Sequence, residues 1–412
     1  MTLVFDRTDQ LAGQPQTHAF LLGVSEYKHL PGMEEPADAE SFGLKRLASP
    51  ALSAWEVCRW LVGHADSLFR PLGSIRLLMS PAVDEVRNLT PIAAPKGVQV
   101  VNPQGIQTAA PEGTRITAAG VEHADWTSFV KEALAWREAA KSDRNGVSLF
   151  YYSGHGLERS GRPLITLADF TDPLAGGKLQ RSCEVIANFV LGMAPSPGFE
   201  NIARNQFYFV DACREQVLDP VGLSAQPGTV WDVLPGIDDR ATPTFMASYP
   251  GSRALTIRGQ PTDFCRGLIE ALDKGAENVD QEDAAKRWLV DSVTLSTALD
   301  TYFERLGTGQ YTPTSGSIFK RPKLCWLPEP PSVDFRVAVS PDMAVSKTEI
   351  SLTNRGTGLI KRIPASTADH PYQVEMQAGI YELLAKSDGT FPDRSDFQLV
   401  NQQLPVWSVV MG

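Results

Sequence analysis

Two stretches decide how this chain folds: VSLFYYSGHG at 147–156 and FYFVDACR at 207–214. Each is a short apolar run that ends in small or reactive residues. Runs of this length, bounded by glycine or polar residues, are how strands buried on both faces read in sequence. The first run sets His155 just past a strand's carboxyl end, and the second does the same for Cys213, 58 residues later. In open α/β sheets, sites collect beyond the carboxyl ends of strands. A thiol and an imidazole at one such edge are the parts of a cysteine peptidase.

The chain around these stretches repeats the pattern. Further apolar runs occur at Ala19–Val24, Ile75–Met79, Leu164–Leu167 and Phe245–Ala247, which makes six with the two above. Helices separate them. Ser49-Pro50 offers a cap and a first-turn proline before Leu52, Trp55, Cys58 and Leu61. Asp125 can cap a helix striped by Trp126, Phe129, Val130, Ala133 and Leu134. Shorter helices carry Ile186, Phe189 and Met193, then Phe264, Leu268 and Leu272 behind a Thr262 cap, then Leu295, Leu299, Tyr302 and Leu306. Strands alternating with helices imply an α/β fold with a six-stranded, mostly parallel sheet flanked by helices.

Two irregular stretches interrupt it: an insertion at about 80–120, and a loop at about 215–242 that directly follows Cys213. Loops this long inside a compact domain are commonly functional. After Pro328-Glu329-Pro330-Pro331 the pattern becomes alternating, in Val333, Phe335, Val337 and Val339, then Tyr372, Val374 and Met376, then Ile380–Leu383 and Val406–Val410. The expected division is an α/β domain at 1–330 and a small all-β, sandwich-like domain at 331–412.

The 412 residues carry 38 Lys and Arg against 48 Asp and Glu, a net charge of −10, which argues against nucleic acid or an anionic membrane as the main partner. The five cysteines form no CxxC pair and leave one over, as in a reducing compartment. The start, MTLVFDRTDQ, is acidic early and is not a secretory signal; no apolar run is long enough to span a membrane, so the expected location is cytoplasmic. No zinc-like Cys/His spacing and no EF-hand-like loop appears, so the expectation is no cofactor, with calcium dependence left open.

For peptide hydrolysis, Cys213 would be the nucleophile and His155 the base and proton donor, with the N–H groups of Cys213 and Gly156 holding the oxyanion. Gly154 and Gly156 would let substrate approach the backbone. Sequence names no third residue to orient the imidazole. The bland reading suits Cys58, Cys183, Cys265 and Cys325, which sit in or beside apolar elements. It suits the remaining histidines, the helix tryptophans Trp55, Trp60, Trp126 and Trp136, and the solvated acidic stretch Glu34, Glu35, Asp38 and Glu40.

Taken together these segments resemble the caspase and metacaspase superfamily, in its bacterial caspase-like flavour, over roughly residues 18–327. Phe20–Val24 is similar to the family's first strand, Val147–Gly156 to the strand ending in the catalytic histidine, and Phe207–Arg214 to the strand ending in the catalytic cysteine. In caspases that histidine lies about 50 residues upstream of the cysteine. Phe245–Arg253 is similar to the next strand and the substrate-binding rim, which places Ser248 and Arg253 there. The resemblance gives Asp211 and Ser153 the pocket for the residue preceding the scissile bond (P1). A buried carboxylate there favours Arg, and Lys in second place. It departs from metacaspases in having Ser53 where they carry a second pocket aspartate. It also implies regulation by cleavage in the loop after Cys213, with Arg240 as the processing site and an upstream protease as activator. The implied setting is a regulated bacterial proteolytic, cell-death or antiviral response. The competing classes are a non-hydrolytic adaptor and a zymogen.

Overall fold

The computed structural model describes residues 2–36, 41–96, 98–101, 107–109, 113–159, 161–172, 183–216, 230–231, 237–249, 259–307, 312–401, 404 and 406–412. The chain divides into two compact units. The first is Met1–Ile269 with Phe303–Leu324, and the second is Glu270–Tyr302 with Cys325–Gly412. The proline cluster at 328–331 lies within the second unit.

In chain order the strands begin with β1 (Leu3–Asp6), β2 (Thr17–Val24), β3 (Leu72–Ser80), β4 (Ile92–Ala93), β5 (Gln99–Val101), β6 (Gln107–Ala109) and β7 (Arg115–Ile116). Then come β8 (Val147–Gly154), β9 (Gly156–Arg159), β10 (Arg162–Thr166), β11 (Cys183–Val185), β12 (Asn205–Ala212), β13 (Glu215–Gln216) and β14 (Thr244–Met246). Four short ones follow: β15 (Asn278–Val279), β16 (Trp288–Asp291), β17 (Thr314–Ser315) and β18 (Lys323–Leu327). The helices are α1 (Pro50–Gly63), α2 (Trp126–Ala140), α3 (Ile186–Gly192), α4 (Asp263–Lys274) and α5 (Ser292–Leu306).

The main sheet of the first unit runs β17-β14-β12-β8-β2-β3-β1-β5-β6. Its five central strands, from β14 to β3, are parallel, and the flanking strands are antiparallel. Nine strands replace the six expected. The unexpected ones, β1, β5, β6 and β17, are only two to four residues long and leave too little pattern to read. One expected strand is elsewhere: β10 belongs to a second sheet, β11-β10-β9-β13. Its apolar run is real, with Leu164 and Ile165 buried. Burial alone does not say which sheet a run joins.

Every residue of β2 and β8 is buried, as both-face coverage requires. Even-numbered positions such as Phe20, Phe150 and Tyr208 pack with Phe129 and Trp136 of α2 and Phe189 of α3. The opposite face receives α1. A Cβ on Gly23 would lie 2.6 Å from the Ala51 backbone, so glycine is what lets α1 sit this close. Ser49 does not cap α1 with its side chain. Instead Ser25 Oγ accepts the Ala51 N–H at 3.0 Å and Glu85 accepts from Leu52 at 3.2 Å and Ala82 at 2.7 Å. Part of the 80–120 insertion is therefore a fixture of the fold, and β5 extends the sheet beyond β1. Asp125 and Thr262 do cap their helices, accepting from Ser128 at 2.9 Å and Cys265 at 3.1 Å.

In the second unit β15, β16 and β18 form a small sheet. The remaining strands are β19 (Ser332–Ser340), β20 (Thr348–Asn354), β21 (Ile360–Ile363), β22 (Tyr372–Gln377), β23 (Gly379–Ser387), β24 (Arg394–Val400) and β25 (Val406–Val410). They make two sheets, β22-β19-β25 and β21-β20-β23-β24. Val337, Leu352, Leu383 and Trp407 come from both sheets and share one core, which is a sandwich.

Candidate functional site

β8 and β12 pair in parallel from Asn205↔Val147 to Ala212↔Gly154. Beyond them β13 pairs with β9, also in parallel, at Glu215↔Leu157 and Gln216↔Glu158. The residue offset is the same in both pairings. His155 joins β8 to β9, and Cys213 lies between β12 and β13. The unbroken register therefore sets the two at matching positions on neighbouring chains, where the main sheet hands over to the second one.

Gly156 explains how closely those chains approach. A Cβ there would lie 2.2 Å from the Cys213 carbonyl oxygen and 2.8 Å from Ala212 Cβ. A Cβ on Gly154 would meet the Tyr152 hydroxyl at 2.4 Å and that of Tyr27 at 2.9 Å. The space both glycines leave is thus taken by protein, which corrects the expectation that it is left for substrate.

His155 is held from several sides. Its N–H donates to the Tyr27 hydroxyl at 2.8 Å, and its carbonyl accepts from the Tyr152 hydroxyl at 2.7 Å and Thr166 Oγ1 at 3.1 Å. Its ring packs 5.0 Å from the Tyr27 ring, and its Nε2 lies 2.5 Å from the Lys45 carbonyl. A carbonyl only accepts, so Nε2 carries a proton. The Lys45 carbonyl is the third group that sequence did not name. As a backbone atom it has no side-chain signature.

Cys213 is half-buried and stands outside any disulfide. Cys58, Cys265 and Cys325 are sealed in the core, where burial pushes their thiols up, that of Cys58 to about 12. The Cys183 side chain lies outside the described residues. Arg214 pairs with Glu158 at 2.9 Å, linking the two exits from the sheet.

Asp211, two residues before Cys213, is 2% exposed. Its Oδ2 accepts from Tyr151 at 2.8 Å, from Ser153 at 2.9 Å and from Thr262. Its Oδ1 is buried and has no partner among the described residues. Burial pushes the carboxyl up to about 6, against the three hydroxyls that favour its charged form. Ser53 reaches the same network by accepting the Thr262 N–H at 2.9 Å. Thr262 was legible in sequence as a helix cap, but its bond to Asp211 was not.

The other expected site residues fare differently. Ser248 is buried and donates to the Ala212 carbonyl at 2.8 Å, fixing the end of β12. Arg253 lies outside the described residues. Arg240 is not a loop arginine offered for cleavage. It is 4% exposed, donating at 2.8 Å to both the Val190 carbonyl and Gln206 Oε1 and pairing with Asp238 at 2.7 Å. The next residue, Ala241, bonds to Arg204 at 2.8 Å. A cavity of about 410 Å³ lies beside Arg240, Val190 and Met246, and neither His155 nor Cys213 lines it. Among the described residues no group of three or more His, Cys, Asp or Glu could hold a metal ion, and no helix is long and apolar enough to cross a membrane.

No family model matches the chain, and no curated protein does. Among solved structures, a leucine-rich repeat protein from Bacteroides thetaiotaomicron aligns at 10% identity over 21% of this chain and 14% of that one, with a TM-score of 0.13. So slight a likeness does not bear on fold or function.

Proposed function

We propose that this chain is a cysteine endopeptidase of the caspase and metacaspase type, cutting after a basic residue. The observation that carries the reading is the common register of β8–β12 and β9–β13, which brings His155 and Cys213 to one edge. Cys213 Sγ attacks the scissile carbonyl carbon, giving its proton to His155 Nδ1. The imidazolium then protonates the departing amine, and water hydrolyses the thioester with the same ring as base. The Lys45 carbonyl keeps the ring in its working tautomer throughout. Asp211 supplies the negative charge that a basic P1 side chain meets.

One observation favours a resting form within this reading. Asp211 Oδ1 is closed to water, so a P1 side chain reaches it only after the surrounding chain shifts. That form corresponds to the zymogen alternative. The bacterial proteolytic or defence setting rests on the resemblance alone. The test is fluorophore release from short peptides ending in Arg, Lys or Asp, by intact and by nicked protein. Turnover of Asp peptides alone would sink the basic preference. Silence in every form would leave an adaptor.

A further inference from the structure

The two oxygens of Asp211 are not equivalent. Oδ2 already accepts from the hydroxyls of Tyr151, Ser153 and Thr262, while Oδ1 accepts from no described residue. A carboxylate offers about four lone-pair sites over its two oxygens. Three donors therefore fill Oδ2 and leave all remaining capacity on Oδ1. Guanidinium binds a carboxylate best as a fork, one N–H to each oxygen. An ammonium is a compact point charge with three rotatable donors and needs only one oxygen.

We propose that Asp211 selects lysine over arginine at P1, and that Tyr151 and Thr262 are positioning residues that set the choice by occupying Oδ2. The inference rests on the reading of Asp211 as the base of the P1 pocket. The hydroxyls are not free to swing away. Tyr151 is fully buried on β8, and burial holds its phenol protonated, hence a donor. Thr262 is fixed as the α4 cap, with its own N–H on Ser53 Oγ at 2.9 Å. The titratable groups beside Asp211 are Tyr151, Cys265 and Asp263, and no described cation pairs with it. A lysine side chain supplies both the missing charge and the missing N–H.

The test is kcat/KM on two fluorogenic peptides that differ only in Lys or Arg before the scissile bond. The proteins are wild type, Tyr151→Phe/Thr262→Val, Thr262→Ser and Asp211→Asn. Wild type is expected to favour Lys by roughly tenfold, the scale of one added hydrogen bond to a charge. Tyr151→Phe/Thr262→Val keeps the ring and leaves Ser153 as the one hydroxyl on Oδ2, which opens a lone pair there, so the ratio shifts toward Arg, chiefly through KM. Thr262→Ser keeps the hydroxyl and the wild-type ratio, and Asp211→Asn loses both substrates. Wild type favouring Arg, or a ratio unmoved in Tyr151→Phe/Thr262→Val, overturns the proposal and leaves the basic-P1 reading standing. Turnover that ignores a basic P1, or none at all, overturns that reading and the proposal with it.

Discussion

His155 donates its Nε2–H to the main-chain carbonyl of Lys45 across 2.5 Å. The bond fixes which ring nitrogen carries the proton before any substrate arrives. Nitrogen NMR of histidine-labelled protein is expected to show neutral His155 as the Nε2–H tautomer. A resting Nδ1–H tautomer contradicts this geometry. Replacing His155 by Ala is expected to lower kcat by about 10²–10⁴-fold with the fold intact, the usual range for a lost acid–base group.

Asp211 weakens the fold at neutral pH. A carboxyl held near 6 instead of 3.8 costs the folded state about 3 kcal/mol once ionised. Its folded value is raised, so the native state binds the extra proton between those two pH values. Stability is full below the ordinary value and falls as pH rises through 6. Denaturant titrations of wild type and Asp211→Asn are expected to show the Asn protein gaining about 2–3 kcal/mol relative to wild type between pH 4 and 7.5. A difference that does not change with pH contradicts the burial argument. A residue that costs stability yet sits beside the thiol fits a functional role.

Trp231 pins the chain that follows Cys213. Its ring is 6% exposed and stacks on Phe189 at 5.0 Å, and Val230 donates to Glu184 at 3.0 Å. A Cβ on Gly192 would lie 1.1 Å from Trp231 Nε1. Gly→Ala inside a helix normally stabilises by roughly 0.5–1 kcal/mol. Here Gly192→Ala is expected to destabilise by about 3 kcal/mol, as Trp231→Ala does, because it evicts the indole. Limited proteolysis should open the segment after Cys213 in both variants. A stabilised Gly192→Ala protein contradicts the anchor.

Arg240 is expected to survive activation. Intact mass of the active protein should show no fragment ending at Arg240, because its guanidinium is buried and bonded on three sides. Arg240→Ala is expected to destabilise by about 3 kcal/mol, since it removes a buried guanidinium bonded to the Val190 carbonyl, Gln206 and Asp238 and leaves its place empty. A product ending at Arg240 contradicts this structural role.

The central strands were legible because they are buried on both faces, which makes β2, β8 and β12 continuous apolar runs. The short flanking strands β1, β5, β6 and β17 are too brief to show such a run. β10 read as a strand of the main sheet because burial in the second sheet looks the same. The alternation of β19, β22, β23 and β25 marked the sandwich. The candidate site was proposed from side chains at strand ends, those of His155, Cys213 and Asp211. It was not legible where the group is a carbonyl, as at Lys45, or where Tyr27, Tyr151 and Thr262 meet their partners only after folding. Ser49 failed as a cap because Ser25 and Glu85 already hold the amides it would have taken.

The most direct measurement is fluorophore release from peptides ending in Lys, Arg or Asp, by wild type and by Cys213→Ala, intact and after limited nicking. Turnover after a basic residue that vanishes in Cys213→Ala is the expected result. Turnover that persists without the thiol, or none from any form of the wild-type protein, contradicts the account.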